Sequence, residues 1–301
     1  MKIAIIECFI NNKAAKENTT TITHVKIAKE IAKYLNCEYF ITEPDISYAA
    51  TQKWDVIIFT NCSQYGFFDG FKKILENNPN ARKIYLSNDY KTSPPGILNK
   101  YQYEVIANYE HSTHKHYCVN TNALLAKHIL PLTPKKYDCI YWGGYREDRA
   151  NYFNKYFKNK MYVSTSAKNK DKFKKSGCLC KFVDMVDWTK SLTNLFRYNL
   201  YIEDNWIHTN FHNLANRWYE AGMCNLVTFF DIDCKNTIKK SEIADLFDDF
   251  YYVSSYQELM EKIEICNKDY NKHLEIQKAW HKRDLEVKEA VLKQIKDIIY
   301  G

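Results

Sequence analysis

The sequence contains no C-x-x-C pair, no G-x-G-x-x-G turn after its first strand and no G-x-x-x-x-G-K-[ST] loop. The first absence removes the ordinary zinc-ribbon and thioredoxin readings; the others argue against a dinucleotide-binding enzyme and a P-loop protein. No apolar run approaches the roughly 18 residues that a membrane span needs, so a soluble, cytoplasmic protein is expected. Internal repeats, low-complexity tracts and heptad arrays are also missing. The opening Met1-Lys2-Ile3-Ala4-Ile5-Ile6-Glu7 meets an acid too soon for a signal peptide and lacks a small-residue cleavage pattern, so it reads as a first strand. The 10 cysteines are scattered, half of them inside apolar runs, which fits reduced thiols better than a disulfide framework.

What is present suffices for two cores. The chain has 301 residues, 46% of them hydrophobic and 15% aromatic, and chains of this size usually divide into domains of about 100 to 150 residues. The net charge of +7, from 43 basic and 36 acidic side chains, makes a polyanionic partner plausible. Many lysines, such as those from Lys168 to Lys175, read as short solvated clusters.

Short apolar runs alternate with amphipathic stretches. Strands are expected at 2–7, 38–41, 55–60, 83–87 and 104–108, with helices at 23–35 and 68–76. In the first helix Val25, Ile27, Ala28, Ile31, Ala32 and Leu35 recur with helical spacing. Leu130-Pro131-Leu132-Thr133-Pro134 has the composition of a linker. The rhythm then restarts with strands at 138–142, 161–164, 179–183, 198–202, 226–229 and 250–253, and helices from about Arg146, Asp187, Phe211 and Ser255. Alternation of this kind predicts parallel sheets. The expected fold class is therefore α/β, with two Rossmann-like domains facing across a cleft: residues 1–133, residues 134–275, and a C-terminal helix, 276–301, packing back on the first domain. Trp280, Leu285, Val291, Ile295 and Ile298 would form the packing stripe of that helix.

The richest stretch is Asn216-Arg217-Trp218-Tyr219-Glu220-Ala221-Gly222-Met223-Cys224-Asn225, which runs into apolar Leu226 to Phe230. Arg217 and Glu220 are three apart and share a helical face. There a cation can meet a diphosphate while a carboxylate accepts from ribose hydroxyls; the competing reading is a surface ion pair. A second candidate is Tyr141-Trp142-Gly143-Gly144-Tyr145-Arg146-Glu147-Asp148-Arg149. Gly143 and Gly144 would let backbone N–H groups approach a pyrophosphate, and Arg146 and Arg149 would add charge. Its rival is a tight turn whose arginines pair with Glu147 and Asp148. A third, Ile84-Tyr85-Leu86-Ser87-Asn88-Asp89-Tyr90, is a strand ending in an acid, or alternatively an Asx turn opening the Pro94-Pro95-Gly96 loop.

These three stretches, which cover both halves of the chain, resemble the GT-B glycosyltransferases. The first is similar to the family's R-x-x-E element, the second to the glycine-bearing turn opening the nucleotide domain, and the third to the interdomain-facing acid of phage DNA glucosyltransferases. Asn225 stands where the family commonly has Gly, so the turn would rely on Asn tolerating a positive φ. The resemblance implies a glycosyltransferase using a nucleotide diphosphate sugar as co-substrate, UDP-glucose favoured, with no resident cofactor and no metal. Gly143, Gly144, Arg146, Arg149, Asn213, Arg217 and Glu220 would hold the donor. Asp89 would be the catalytic base, with Glu7, Asp69 and Glu110 as alternative acids, and Asn88, His111 and His114 would lie on the acceptor side. His111, His114, His116 and Cys118 have ligand chemistry, but metal is the least favoured of their roles. His208 and Asn213 would approach sugar hydroxyls, unless this stretch is simply the cap of a helix.

The acceptor implied is a hydroxymethylated pyrimidine in DNA, in host cytoplasm if the gene is a phage's. Such a base must leave the stack, and Tyr65, Phe67, Phe68, Tyr101 and Tyr103 offer aromatic faces. The alternatives are an enzyme of cell-surface polysaccharide or lipopolysaccharide synthesis, and a non-catalytic nucleotide-binding regulator.

Overall fold

The structure is a computed structural model that describes residues 1–7, 23–60, 69–87, 94, 96–109, 115–183, 193–204, 207–208 and 214–301. The chain divides into two compact units, Met1–Leu125 with Lys288–Gly301, and Ala126–Val287. Each is built on a six-stranded sheet whose strand pairs are all parallel.

Unit 1 contains β1 (Ile3–Ile6), α1 (Thr23–Leu35), β2 (Glu38–Phe40), α2 (Glu43–Ala49), β3 (Val56–Phe59), α3 (Asp69–Asn77), β4 (Arg82–Ser87), β5 (Glu104–Ala107) and β6 (His116–Cys118). The sheet order is β2-β1-β3-β4-β5-β6. Strands of a parallel sheet are covered on both faces and so read as unbroken apolar runs; Ile-Ala-Ile-Ile in β1 and Val-Ile-Ile-Phe in β3 are buried throughout. The six apolar positions expected on α1 are its six buried residues, of which Val25, Ile27, Ile31 and Leu35 each contribute about 1.5–3 kcal/mol of transfer free energy. α2, which was not expected, starts at a capping box: Thr42 accepts from the Asp45 amide while Asp45 accepts from the Thr42 amide.

Unit 2 contains β7 (Tyr137–Trp142), α4 (Ala150–Tyr156), β8 (Met161–Ser164), α5 (Ala167–Lys175), β9 (Lys181–Val183), β10 (Phe196–Tyr201), α6 (Asn216–Met223), β11 (Val227–Asp231), α7 (Lys235–Lys239), β12 (Tyr252–Val253), α8 (Tyr256–Lys268) and most of α9 (Tyr270–Tyr300). Its order is β12-β11-β10-β7-β8-β9, which from the other edge is the 3-2-1-4-5-6 order of dinucleotide-binding domains. The lysine cluster read as solvated is helix α5, anchored by buried Phe173. α8 begins after Ser255, whose hydroxyl accepts from the Glu258 amide.

In unit 2, Trp280 of α9 stacks on Phe247 at 5.0 Å and donates to the Leu246 carbonyl at 2.9 Å. The end of α9 belongs to unit 1, where Val291, Leu292, Ile295 and Ile299 are buried. The carbonyls of Ile298 and Ile299 accept from Arg82 at 2.7 and 3.0 Å. Leu285 and Ile298 of the expected stripe are only half-buried. Among the described residues no helix is long and apolar enough to cross a membrane.

Candidate functional site

In an open parallel sheet, ligands collect at the carboxyl ends of the strands where the strand order reverses direction. In unit 2 that point lies between β7 and β10. β7 ends at Trp142 and runs into Gly143; β10 ends at Tyr201 and runs into Ile202-Glu203-Asp204. α6, which returns to β11, brings Arg217 and Glu220 to the same edge.

The turn after β7 needs its glycine. Gly143 has φ +149°, and a Cβ there would lie 3.2 Å from Tyr141 Oη and 3.4 Å from Arg217 Nη2, so its missing side chain leaves the room that Arg217 uses. The Gly143 amide, however, donates to the Ser164 carbonyl at 3.1 Å. It extends the β7–β8 ladder, so this N–H already has a backbone partner. Gly144 is packed as closely, since a Cβ would sit 3.2 Å from Asn169 Nδ2. The turn leads first into a short 3-10 segment, Glu147–Arg149, and only then into α4.

Three arginines converge here. Arg149 is buried and pairs with Glu203, with Asp204 at 3.8 Å. Burial opposes its charge, but Glu203, Tyr141 and Asp204 together outweigh that cost and raise its pKa. Arg217 donates to Glu203 Oε1 at 2.5 Å and to the Ile202 carbonyl at 2.6 Å. It also lies over the Tyr141 ring at 4.9 Å, a cation–π contact. Arg146 reaches Asp204 at 3.1 Å and clasps Asp148 at 2.5 and 3.0 Å. Arg146 and Arg149 therefore do not present one free face: both are drawn toward carboxylates.

Glu220 is buried on α6, and its Oε2 accepts from Trp142 Nε1 at 2.9 Å. That bond fixes the carboxylate against the end of β7. The exit of α6 is tight. A Cβ on Gly222 would lie 2.4 Å from His281 Nδ1, and Asn225 has φ +55°, as its replacement of the family's glycine predicts. Its side chain donates to the Leu130 carbonyl at 2.8 Å.

The structure thus gathers Gly143, Gly144, Arg146, Arg149, Arg217 and Glu220. Asn213, Asp89, Asn88, His111 and His114 lie outside the described residues. His208, expected near sugar hydroxyls, is buried, with Nε2 3.1 Å from the Glu203 carbonyl and Nδ1 3.3 Å from Thr237 Oγ1. Burial lowers its pKa, and the ring packs inward between these two partners. Glu203 and Asp204 were not expected. The signal was available: two acids directly after a central strand sit at the ligand-facing edge of any parallel sheet. Among the described residues no group of three or more His, Cys, Asp or Glu side chains could hold a metal ion.

No protein-family model and no curated protein sequence matches the chain. Its fold, in contrast, matches solved structures over its full length. T4 phage β-glucosyltransferase, solved with UDP and Mn2+, is 14% identical with a TM-score of 0.72, covering 99% of each chain. An α-glucosyltransferase solved with UDP-glucose and DNA containing an abasic site is 10% identical with a TM-score of 0.65, covering 100% of each. The Anabaena protein HepE, solved with UDP and glucose, is 11% identical with a TM-score of 0.52, covering 100% of this chain and 99% of its own. The chain therefore has the α/β fold of these proteins, two parallel six-stranded sheets with a long C-terminal helix.

Proposed function

We propose that the chain is a glycosyltransferase that moves a sugar from a nucleoside diphosphate sugar, UDP-glucose in the first instance, to a hydroxymethylated pyrimidine in DNA. The observation that carries this reading is the meeting of Arg146, Arg149, Arg217 and Glu220 at the switch point of unit 2. Cations suit a diphosphate, and a fixed carboxylate suits a ribose diol. The fold relatives support it: one is a DNA-modifying β-glucosyltransferase whose substrate is uridine diphosphoglucose, and an α-glucosyltransferase was solved with UDP and a 13-mer DNA containing an HMU base.

In this reading the acceptor hydroxyl oxygen attacks the anomeric carbon as the bond from that carbon to the diphosphate oxygen breaks. The bonding electrons leave with the diphosphate, and the hydroxyl proton passes to an acceptor-side base. Arg217, largely buried and held over Tyr141, offsets the charge that grows on the leaving group. Arg149 contributes its charge from behind, and Arg146, the most exposed of the three, closes the outer side. Glu220, held by Trp142, accepts from the ribose hydroxyls. We assign the base to Asp89 and further donor and acceptor contacts to Asn213, Asn88, His111 and His114, with the nucleotide sugar as co-substrate, unit 1 receiving DNA, and the reaction taking place in the cytoplasm.

The test incubates the protein with a panel of nucleotide sugars and DNA containing 5-hydroxymethylcytosine or 5-hydroxymethyluracil, with and without Mn2+, followed by digestion and mass measurement of the nucleosides. A nucleoside heavier by one sugar residue supports the reading, and its loss in Asp89→Asn supports the base. Nucleotide binding without any mass gain transfers the proposal to a saccharide acceptor; no nucleotide binding removes it.

A further inference from the structure

Glu203 has a role that a diphosphate site does not require. Its side chain is 4% exposed, and those of Arg149 and Arg217 are 6% and 12% exposed. One carboxylate serves both guanidiniums: Oε2 takes Arg149 Nη2, and Oε1 takes Arg217 Nη1 at 2.5 Å. Two guanidiniums carry more N–H donors than one carboxylate has lone pairs. The surplus is visible, because the buried Nε atoms of both Arg149 and Arg217 have no hydrogen-bond partner among the described residues. A buried donor left unmade costs about 1–3 kcal/mol, so the pair is poised for an anion with more oxygens than a carboxylate provides. Asp204 does not fill the gap: its Oδ1 accepts from the Ile207 amide at 3.0 Å, and its Oδ2 lies 3.1 Å from Arg146.

We infer that Glu203 is a built-in counter-anion, which holds Arg149 and Arg217 apart and charged in the donor-free protein and yields Arg217 to the diphosphate when the donor binds. The inference rests on the donor-site reading above. Without Glu203 the two cations would repel each other inside a low-dielectric pocket. With it, every donor molecule that binds must first displace a carboxylate already bonded. Glu203 is thus a positioning residue that sets donor affinity by competition.

The experiment is titration calorimetry of the full chain and its Glu203→Gln and Glu203→Asp variants with UDP, inorganic pyrophosphate and uridine. Gln keeps the shape and one acceptor oxygen but removes the charge. Binding of both UDP and pyrophosphate is expected to tighten about tenfold in Glu203→Gln, the equivalent of one charge-assisted hydrogen bond no longer given up. Uridine, which has no phosphate, should bind equally to both. The ligand-free variant should also melt at a lower temperature.

A residue that merely braced the arginines would show the opposite, with weaker anion binding, and equal or weaker binding overturns the inference. Should Glu203→Gln not fold, Glu203→Asp decides, because its shorter side chain keeps the charge but does not span both arginines. A gain of about threefold is then expected, and none overturns the idea. If the wild-type protein binds neither UDP nor pyrophosphate, the donor-site reading fails as well. If it binds both and the variants gain nothing, only the role of Glu203 falls.

Discussion

Each unit has one point where its strand order reverses, and the two points carry different chemistry. In unit 1 the reversal lies between β1 and β3. Glu7 follows β1 there, fully buried, accepting from Thr60 Oγ1 at 2.6 Å and Tyr39 Oη at 3.2 Å, with His24 Nε2 at 3.6 Å. In unit 2, between β7 and β10, three arginines meet Glu203, Asp204 and Glu220. A carboxylate among hydroxyls and an imidazole is a compact device that ties β1, β2 and β3 together. An arginine-rich point with unfilled donors is a place for an anion. Equivalent topology thus supplies the location in both units, and the residues just past the strand ends decide what is done there.

The largest expected effect tests that contrast directly. Arg217→Ala should weaken UDP binding about 100-fold, the loss of a charge-assisted contact in a buried setting, as read by calorimetry. Glu7→Gln should leave that affinity unchanged. If the two variants weaken UDP equally, the division between units collapses.

Asp284→Asn probes scaffold against site within unit 2. Asp284 is fully buried on α9, 3.5 Å from His281, and burial pushes its pKa up to about 7. The folded state therefore keeps a proton that the unfolded chain loses near pH 4. Stability falls as pH rises from about 4 to 7, and the penalty is complete above that. Thermal melts should show Asp284→Asn more stable than wild type by about 2–4 kcal/mol at pH 8, with no gain near pH 4. An equal gain at both pH values would mean that the effect is packing rather than charge.

Glu7→Gln itself should cost unit 1 about 1–2 kcal/mol, since a neutral amide is a weaker partner for Thr60 and Tyr39. Chemical denaturation measures this, and no loss would show that the strand-end carboxylate is dispensable to the fold.

The smallest effect is at the other end of the unit 1 sheet. Arg82 donates twice to Glu104, at 2.7 and 2.8 Å, and holds its carboxyl down to about 2, with Tyr117 assisting. A depressed pKa contributes stability above the ordinary Glu value that is lost as pH falls toward 2. Glu104→Gln should thus cost about 1 kcal/mol at pH 7, and the difference should vanish in acid. A pH-independent difference would exclude the ion pair as its source.

Much of the fold was legible because periodicity in a chain is local. The burial of α1 follows from its helical spacing of apolar residues, and the parallel sheets from unbroken runs such as Val56 to Phe59. Asn225 could be placed at a positive φ because few other non-glycine residues tolerate it. α5 was missed because Phe173 is its single buried side chain among lysines, which leaves almost no apolar period to read. α2 was missed although Thr42 and Asp45 form a capping box, a signal that was present but short. Of the site, Arg217 and Glu220 were legible from their spacing, and Gly143 from the turn it opens. The pairing of Arg149 with Glu203 was not, for the two are 54 positions apart.

The sequence by itself determined most of the strands, the helix α1 and that the chain builds two parallel sheets, because backbone propensity and hydrophobic period act over a few neighbouring residues; α2, α5 and β6 carry too few apolar residues in period to be read. Only the tertiary structure decided that Arg149 and Arg217 share one carboxylate, that the Gly143 amide is committed to a strand ladder, and that His208 packs inward. Those outcomes depend on which strand ends lie side by side in the sheet. Charge, burial and hydrogen-bond geometry take their values only once distant segments are brought into one low-dielectric place.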